Sequence, residues 1–119
     1  MIQILKPDFI FNDERGSLTQ LIHEGFKQIN VITSKAGTIR GGHYHQLNEE
    51  AFYIINGKVR LFVELDKHKS EYIFHSGDMF LIHKNVIHDF EFLEDTLLVS
   101  MYNIGVELPN GNKDILKKI

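Results

Sequence analysis

The chain has 119 residues and a formal charge of −3, with 43% hydrophobic and 24% charged residues, which reads as one soluble globular domain with a single modest core. No long run of like charges is present, so neither a nucleic-acid surface nor a polybasic membrane patch is indicated. The absence of cysteine excludes disulfides, thiolate metal ligands and a cysteine nucleophile, so any metal must be held by His, Asp or Glu.

The N-terminal stretch MIQILKPDF has no basic region followed by a long apolar segment, so no signal peptide is expected. No segment approaches the roughly 20 apolar residues that span a bilayer. The expectation is a cytoplasmic protein without membrane contact. From there the chain is a succession of short strand-like runs. Residues 17–22, 28–34 and 38–45 come first. Residues 51–55 and 58–65 flank Asn56-Gly57, which predicts a type I′ hairpin joining them. In the second of these, Val59, Leu61, Val63 and Leu65 alternate with Lys58, Arg60, Phe62 and Glu64, the pattern of a half-buried strand. Residues 69–74, 79–82, 88–93 and 96–102 complete the set, separated by turn signals at Asp66-Lys67, Ser76-Gly77-Asp78, Lys84-Asn85 and Glu94-Asp95. The tail, 114–119, can form at most one helical turn. Many short strands with regular turns predict an all-β sandwich or small barrel.

Chemistry-bearing residues concentrate in GTIRGGHYHQLNEEAFYIING, residues 37–57. Side chains two apart on a strand share a face, so His43 and His45 project together with Tyr44 opposite. Glu50 follows a short, mostly polar turn and can return beside them, and His88 opens a later strand. Three imidazoles and a carboxylate suit zinc, manganese, iron or nickel, and leave coordination positions for water or substrate.

Gly37, His43, His45, Glu50 and Gly57 fall in register with G-x5-H-x-H-x4-E-x6-G, and the chain thereby resembles the cupin family. The second cupin signature, G-x5-P-x-G-x2-H-x3-N, is met at Gly77 and His88, whereas His83, Asn85 and Phe92 occupy its Pro, second Gly and Asn positions. The resemblance implies a double-stranded β-helix, the cupin jelly-roll barrel, over residues 1–119. It also implies a divalent metal, zinc first, on His43, His45, Glu50 and His88.

A narrower resemblance runs through FNDERGSLTQL (residues 11–21) and RGGHYH (residues 40–45). These segments are similar to the nucleotide-sugar-modifying cupins of surface-polysaccharide synthesis. The dTDP-4-dehydrorhamnose 3,5-epimerases share the first segment and use a histidine base without metal. The dTDP-sugar 3,4-ketoisomerases carry R-G-x-H-A-H, usually without the acidic ligand; this chain has Tyr44 in place of the Ala. The C-terminal cupin domain of UDP-2-acetamido-2,6-dideoxy-hexulose reductase resembles the chain most, through Asp13 to Ser17, Val31 to His45, and Glu49-Glu50. No reductase domain accompanies it here, so a free-standing enzyme or a partner of one is expected.

The resemblance implies that Arg15 and Arg40 approach the diphosphate of a nucleotide-sugar, for which a planar guanidinium is suited. It implies catalytic roles for His43 and His45, an epimerase or isomerase activity on a 4-keto-hexose, and a homodimer, with residues 96–102 as the expected contact. Imidazoles tied to a metal are unavailable as bases, so metal-assisted and metal-free histidine catalysis compete. A non-catalytic, metal-stabilised sugar-binding or dimerisation module and an iron-dependent dioxygenase are the alternatives. Phe52, Tyr53, Phe62, Phe80, Phe90, Phe92 and Tyr102 read as core or dimer contacts, with one tyrosine available as a proton donor. His23, His68 and His75 read as surface residues, and His83 as a residue of the pocket mouth.

Overall fold

The computed structural model describes residues 1–119. It contains twelve strands and no helix: β1 (Ile2–Leu5), β2 (Phe9–Asp13), β3 (Gly16–Gln20), β4 (Gln28–Ser34), β5 (Ile39–Tyr44), β6 (Glu50–Asn56), β7 (Lys58–Leu65), β8 (His68–His75), β9 (Met79–Ile82), β10 (Ile87–Phe92), β11 (Thr96–Tyr102) and β12 (Leu116–Lys117). Two five-stranded antiparallel sheets face each other, ordered β1-β9-β6-β11-β4 and β12-β5-β10-β7-β8, and β2 and β3 form a separate hairpin. This is the expected jelly roll. No helix of the protein is long and apolar enough to cross a membrane.

Alternation along the strands builds the core. On β10, His88, Phe90 and Phe92 point inward and are buried, and on β7 so are Val59, Leu61 and Val63. They meet Phe52, Ile54, Phe80, Ile82 and Leu98 from the first sheet in one apolar cluster. Phe74 and Phe80 stack with ring centroids 4.0 Å apart, and Phe52 and Phe80 stack at 5.2 Å. Burying side chains of this size supplies most of the driving force for closing the two sheets.

Four expectations from the sequence are corrected. Asn56-Gly57 is not a hairpin: β6 belongs to the first sheet and β7 to the second, so the pair is a corner between sheets. Gly57 is required there, because its φ is +120° and an added Cβ would collide with Thr96. The two-residue type I′ turn lies instead at Asp66-Lys67, where φ is 50° and 72° and Leu65 pairs with His68.

Residues 96–102, the expected dimer contact, form β11, which is flanked on both sides by β4 and β6. Its outward Val99 and Met101 are already buried under Leu21, Ile22 and Phe26. The tail is no helical turn: β12 pairs with β5, setting Leu116 opposite Tyr44 and Lys117 opposite His43. Finally, His83 is not at the pocket mouth. It is exposed and pairs with Glu49 through Nδ1 and Oε2 at 2.7 Å.

Candidate functional site: an imidazole cluster in the barrel

Each sheet contributes half of the cluster. His43 on β5 and His88 on β10 are cross-strand partners in the second sheet, and their ring centroids lie 4.7 Å apart. The strands approach closely there because Gly41, with φ of +126°, has no Cβ to strike the backbone of His88 and Asp89. His45, just past β5, stands 5.1 Å from His43 and 5.4 Å from His88 by ring centroid. From the first sheet come Glu50, at the start of β6, and Tyr102, its partner on β11. The three imidazoles offer nitrogen atoms within 4.8 Å of one another. Glu50 Oε1 lies 3.0 Å from His45 Nε2 and 3.7 Å from His88 Nε2. All four sequence-predicted ligands are therefore brought together.

The donor set fits a divalent cation. His88 Nδ1 lies 3.0 Å from the carbonyl of Val86, and His45 Nδ1 lies 2.6 Å from that of Asp114. Both rings thus spend Nδ1 on backbone and turn Nε2 toward Glu50, the arrangement that second-partner hydrogen bonds impose on metal-binding histidines. Zinc bonds of 2.0–2.1 Å place neighbouring donors about 3.4 Å apart in a tetrahedron. The two Glu50 distances bracket that value, and the imidazole spread asks for a modest inward movement.

Burial sets the protonation states. It is the main reason that the pKa of His88 falls to about 4, with the neighbouring His43 and His45 adding to the effect. Burial likewise lowers that of His43. For His45 burial acts in the same direction but is outweighed by the Glu50 hydrogen bond and the Asp114 carbonyl, and its pKa is raised. Glu50, 4% exposed, is further held by the Ser100 hydroxyl, which donates to Oε2 at 2.8 Å. The Tyr102 hydroxyl is pushed well above its ordinary range, first by burial and then by the charge of Glu50.

A cavity of about 370 Å³ opens onto this cluster. His43, His88, Glu50 and Tyr102 line it together with Phe90, Phe92, Leu98 and Ile32, and Arg40 and Gly41 stand at the side where β5 passes β4. His45 is not among the lining residues; it is 3% exposed and pairs with Glu50, which is. Arg40 reaches from β5 to β4, donating from Nε to Ser34 Oγ at 2.7 Å and from a terminal nitrogen to the Thr33 carbonyl at 3.4 Å. It also lines an open groove of about 610 Å³ with Lys35, Thr33, Ser34 and Thr38. Arg15 is elsewhere, exposed at the β2–β3 turn and paired with Asp13. The residues that sequence reasoning did not single out are Ser100, Asn48 and Asp114. Tyr102 was one of several aromatics until its place in the cavity wall distinguished it.

Among solved structures, a 3,4-ketoisomerase from Helicobacter canadensis is similar at 22% identity and a TM-score of 0.82, over 98% of this chain and 90% of that one. A variant of the 3,4-ketoisomerase from Thermoanaerobacterium thermosaccharolyticum, in complex with TDP-4-keto-6-deoxyglucose, is similar at 18% identity and a TM-score of 0.74, over 86% and 79%. The dTDP-4-dehydrorhamnose 3,5-epimerase from Bacillus anthracis, with TDP and PPi bound, is similar at 23% identity and a TM-score of 0.69, over 86% and 71%. At these identities the likeness establishes the fold. No curated protein sequence matches. The family model described as the polysaccharide biosynthesis C-terminal domain matches residues 11–103. That span takes in the whole imidazole cluster and its cavity and stops short of Asp114, and with most of the chain inside it the protein is a member of the polysaccharide biosynthesis C-terminal domain family.

Proposed function

We propose that the protein is an isomerase or epimerase acting on a nucleotide-linked 4-keto-hexose in surface-polysaccharide synthesis, with a divalent cation, zinc first, held by His43, His45, Glu50 and His88. The observation that carries this reading is the cavity itself, lined by the proton-transfer groups His43, His88, Glu50 and Tyr102, by aromatic and aliphatic side chains, and by Arg40. Its volume lies in the range of about 300–1,000 Å³ typical of small-molecule sites. The nucleotide-linked keto sugar and the TDP in the solved ketoisomerase and epimerase support the substrate class.

The chemistry is removal of a proton from the carbon beside the carbonyl, giving an enediolate, followed by return of a proton to the neighbouring carbon or to the opposite face. A bound divalent cation would supply Lewis-acid polarisation of the sugar carbonyl. His43 is in the cavity wall and its lowered pKa keeps the imidazole neutral near pH 7, the state a general base needs. Tyr102, protonated throughout the accessible pH range, is the wall's proton donor. An imidazole serving as a ligand is lost as a base, so His43 takes the proton only while it does not coordinate the cation, and Tyr102, whose hydroxyl stays protonated, serves as donor alone.

Arg40, at the junction of cavity and groove, faces the diphosphate, with Lys35 beside it. Arg15 lies outside this chain's cavity, so its diphosphate contact is assigned to a second copy. The homodimer is proposed through the outer face of the first sheet and the β2–β3 arm, where Ile29, Val31, Phe9, Ile10, Phe11 and Leu18 are all exposed. An apolar surface of that extent is costly to leave in water.

The test is solvent-deuterium incorporation into TDP-4-keto-6-deoxyglucose, followed by NMR, with elemental analysis of the purified protein alongside. Exchange that is lost in Tyr102→Phe supports the reading. No exchange with wild type sinks the enzyme and leaves a sugar-binding or dimerisation module.

A further inference from the structure

The segment after β11 crosses back over the cluster, and one residue ties it down. Asp114 is 3% exposed, yet no lysine or arginine neutralises it. Instead its carboxylate accepts three consecutive backbone N–H groups, from Gln46, Leu47 and Asn48, at 2.9, 3.0 and 3.0 Å. The Asn48 side chain adds a fourth donor at 2.8 Å. Asn48 in turn accepts at Oδ1 from the N–H groups of Ile104 and Gly105, at 3.0 and 2.8 Å. The turn between β5 and β6 is thus wound around a carboxylate, an anion nest filled by the protein's own side chain. Burial opposes ionisation of Asp114, but the Asn48 amide and the three backbone donors outweigh it and hold the carboxyl below its usual range.

The same residue reaches the cluster through its main chain. The Asp114 carbonyl accepts from His45 Nδ1 at 2.6 Å, while the Asp114 N–H donates to the Val106 carbonyl at 2.8 Å. A carbonyl accepts only, so Nδ1 carries a hydrogen; the Glu50 carboxylate also only accepts, so the protonated ring carries a second hydrogen on Nε2. It is this one, on the longer contact, that is given up when the ring becomes neutral and Nε2 presents its lone pair.

We infer that Asp114 is a positioning residue for His45: its side chain builds the 46–48 turn that follows His45, and its carbonyl fixes the ring with Nε2 toward the cluster. The inference rests on the proposed use of the cluster, and extends it to a C-terminal strap outside residues 11–103, the span of the family match. Asn at this position is not equivalent. It replaces one acceptor oxygen with an NH2 group that would face the N–H groups now bound.

Two readouts test this. Long-range 1H–15N NMR of the histidine rings, recorded on metal-free wild type above the titration of His45, should show His45 as a single Nδ1–H tautomer. In Asp114→Asn the signal should shift toward a mixture, and zinc affinity measured by chelator competition should fall tenfold to a hundredfold, as expected for loss of a ligand-orienting partner, with the strand signal in circular dichroism retained. An Nε2–H tautomer in wild type overturns the inference. So does a folded Asp114→Asn with unchanged tautomer and unchanged zinc affinity. Should the variant unfold, the wild-type tautomer decides alone. If wild type binds no zinc, the cation in the proposed function is lost and the tautomer populations of wild type and variant decide the role of Asp114.

Discussion

The two five-stranded sheets resemble each other inside the barrel and differ outside it. Inward, each presents apolar side chains and part of the cluster: Glu50 and Tyr102 from the first, His43 and His88 from the second. Outward, the second sheet carries Lys58, Arg60, Phe62 and Glu64 on β7, Glu71 and Ile73 on β8, and Asp89 and Glu91 on β10, a surface that water solvates. The first sheet carries Ala51, Met79, Leu81, Val99 and Met101, partly covered by Leu21, Ile22 and Phe26, and continues into the exposed Ile29 and Val31. A sheet with one charged face is complete as it stands, whereas a sheet apolar on both faces needs a second cover.

The largest effects should follow the inside–outside division. Phe80→Ala, at a residue 0% exposed, is expected to cost about 3–5 kcal/mol in urea denaturation. Phe62→Ala, 38% exposed on the second sheet's outer face, should change stability by less than about 0.5 kcal/mol. Similar costs for the two would break the assignment of faces.

Next is the acid limb of the metal-free protein. The folded-state pKa of His88, about 4, lies below its ordinary 6.5, so the unfolded chain takes up the proton first. The His88 contribution is fully present above pH 6.5 and is lost as pH falls through about 4. The total is of order 3 kcal/mol. His45 has the opposite sign: with a raised pKa, its contribution is present below 6.5 and lost as pH rises through the folded value. His88→Gln should flatten the acid limb alone in denaturation measured from pH 7 to 4. An unchanged limb would contradict the buried, neutral imidazole.

The outer faces are tested by charge. Val31→Glu should weaken the proposed homodimer about a hundredfold in sedimentation, corresponding to about 2.7 kcal/mol. Ile73→Glu on the second sheet should leave it intact. A monomeric wild type, or equal effects of both substitutions, would remove the second copy from the argument.

The smallest effects concern the two arginines. Arg40→Ala should weaken TDP binding about tenfold to a hundredfold by calorimetry, in monomer and dimer alike, because Arg40 lines its own chain's cavity. Arg15→Ala should weaken it about tenfold or less, and only while the dimer persists. An Arg15 effect that survives Val31→Glu would place that arginine at its own chain's cavity, against the geometry.

Much of this architecture was determined by sequence alone. Residues 28–34, 58–65, 79–82 and 96–102 coincide with β4, β7, β9 and β11, because face alternation and turn residues are local properties of the chain. His43, His45 and Glu50 were legible for the same reason: all three lie within a single strand–turn–strand unit.

What tertiary structure alone decided is which element meets which. Gly57 and the pair Asp66-Lys67 both adopt positive φ, yet only the second joins paired strands, since β6 and β7 are claimed by different sheets. β1, β2 and β12 escaped notice because short terminal strands acquire their shape from a partner, as β12 does from β5. Tyr102 and Asp114 gave no local sign of their roles. Asp114 stands 66 residues from Asn48, and only the closing of the barrel brings its carboxylate to that turn and its carbonyl to His45. Sequence dictates the conformation each segment prefers, but a hydrogen bond between distant segments exists only after packing has placed both of its ends.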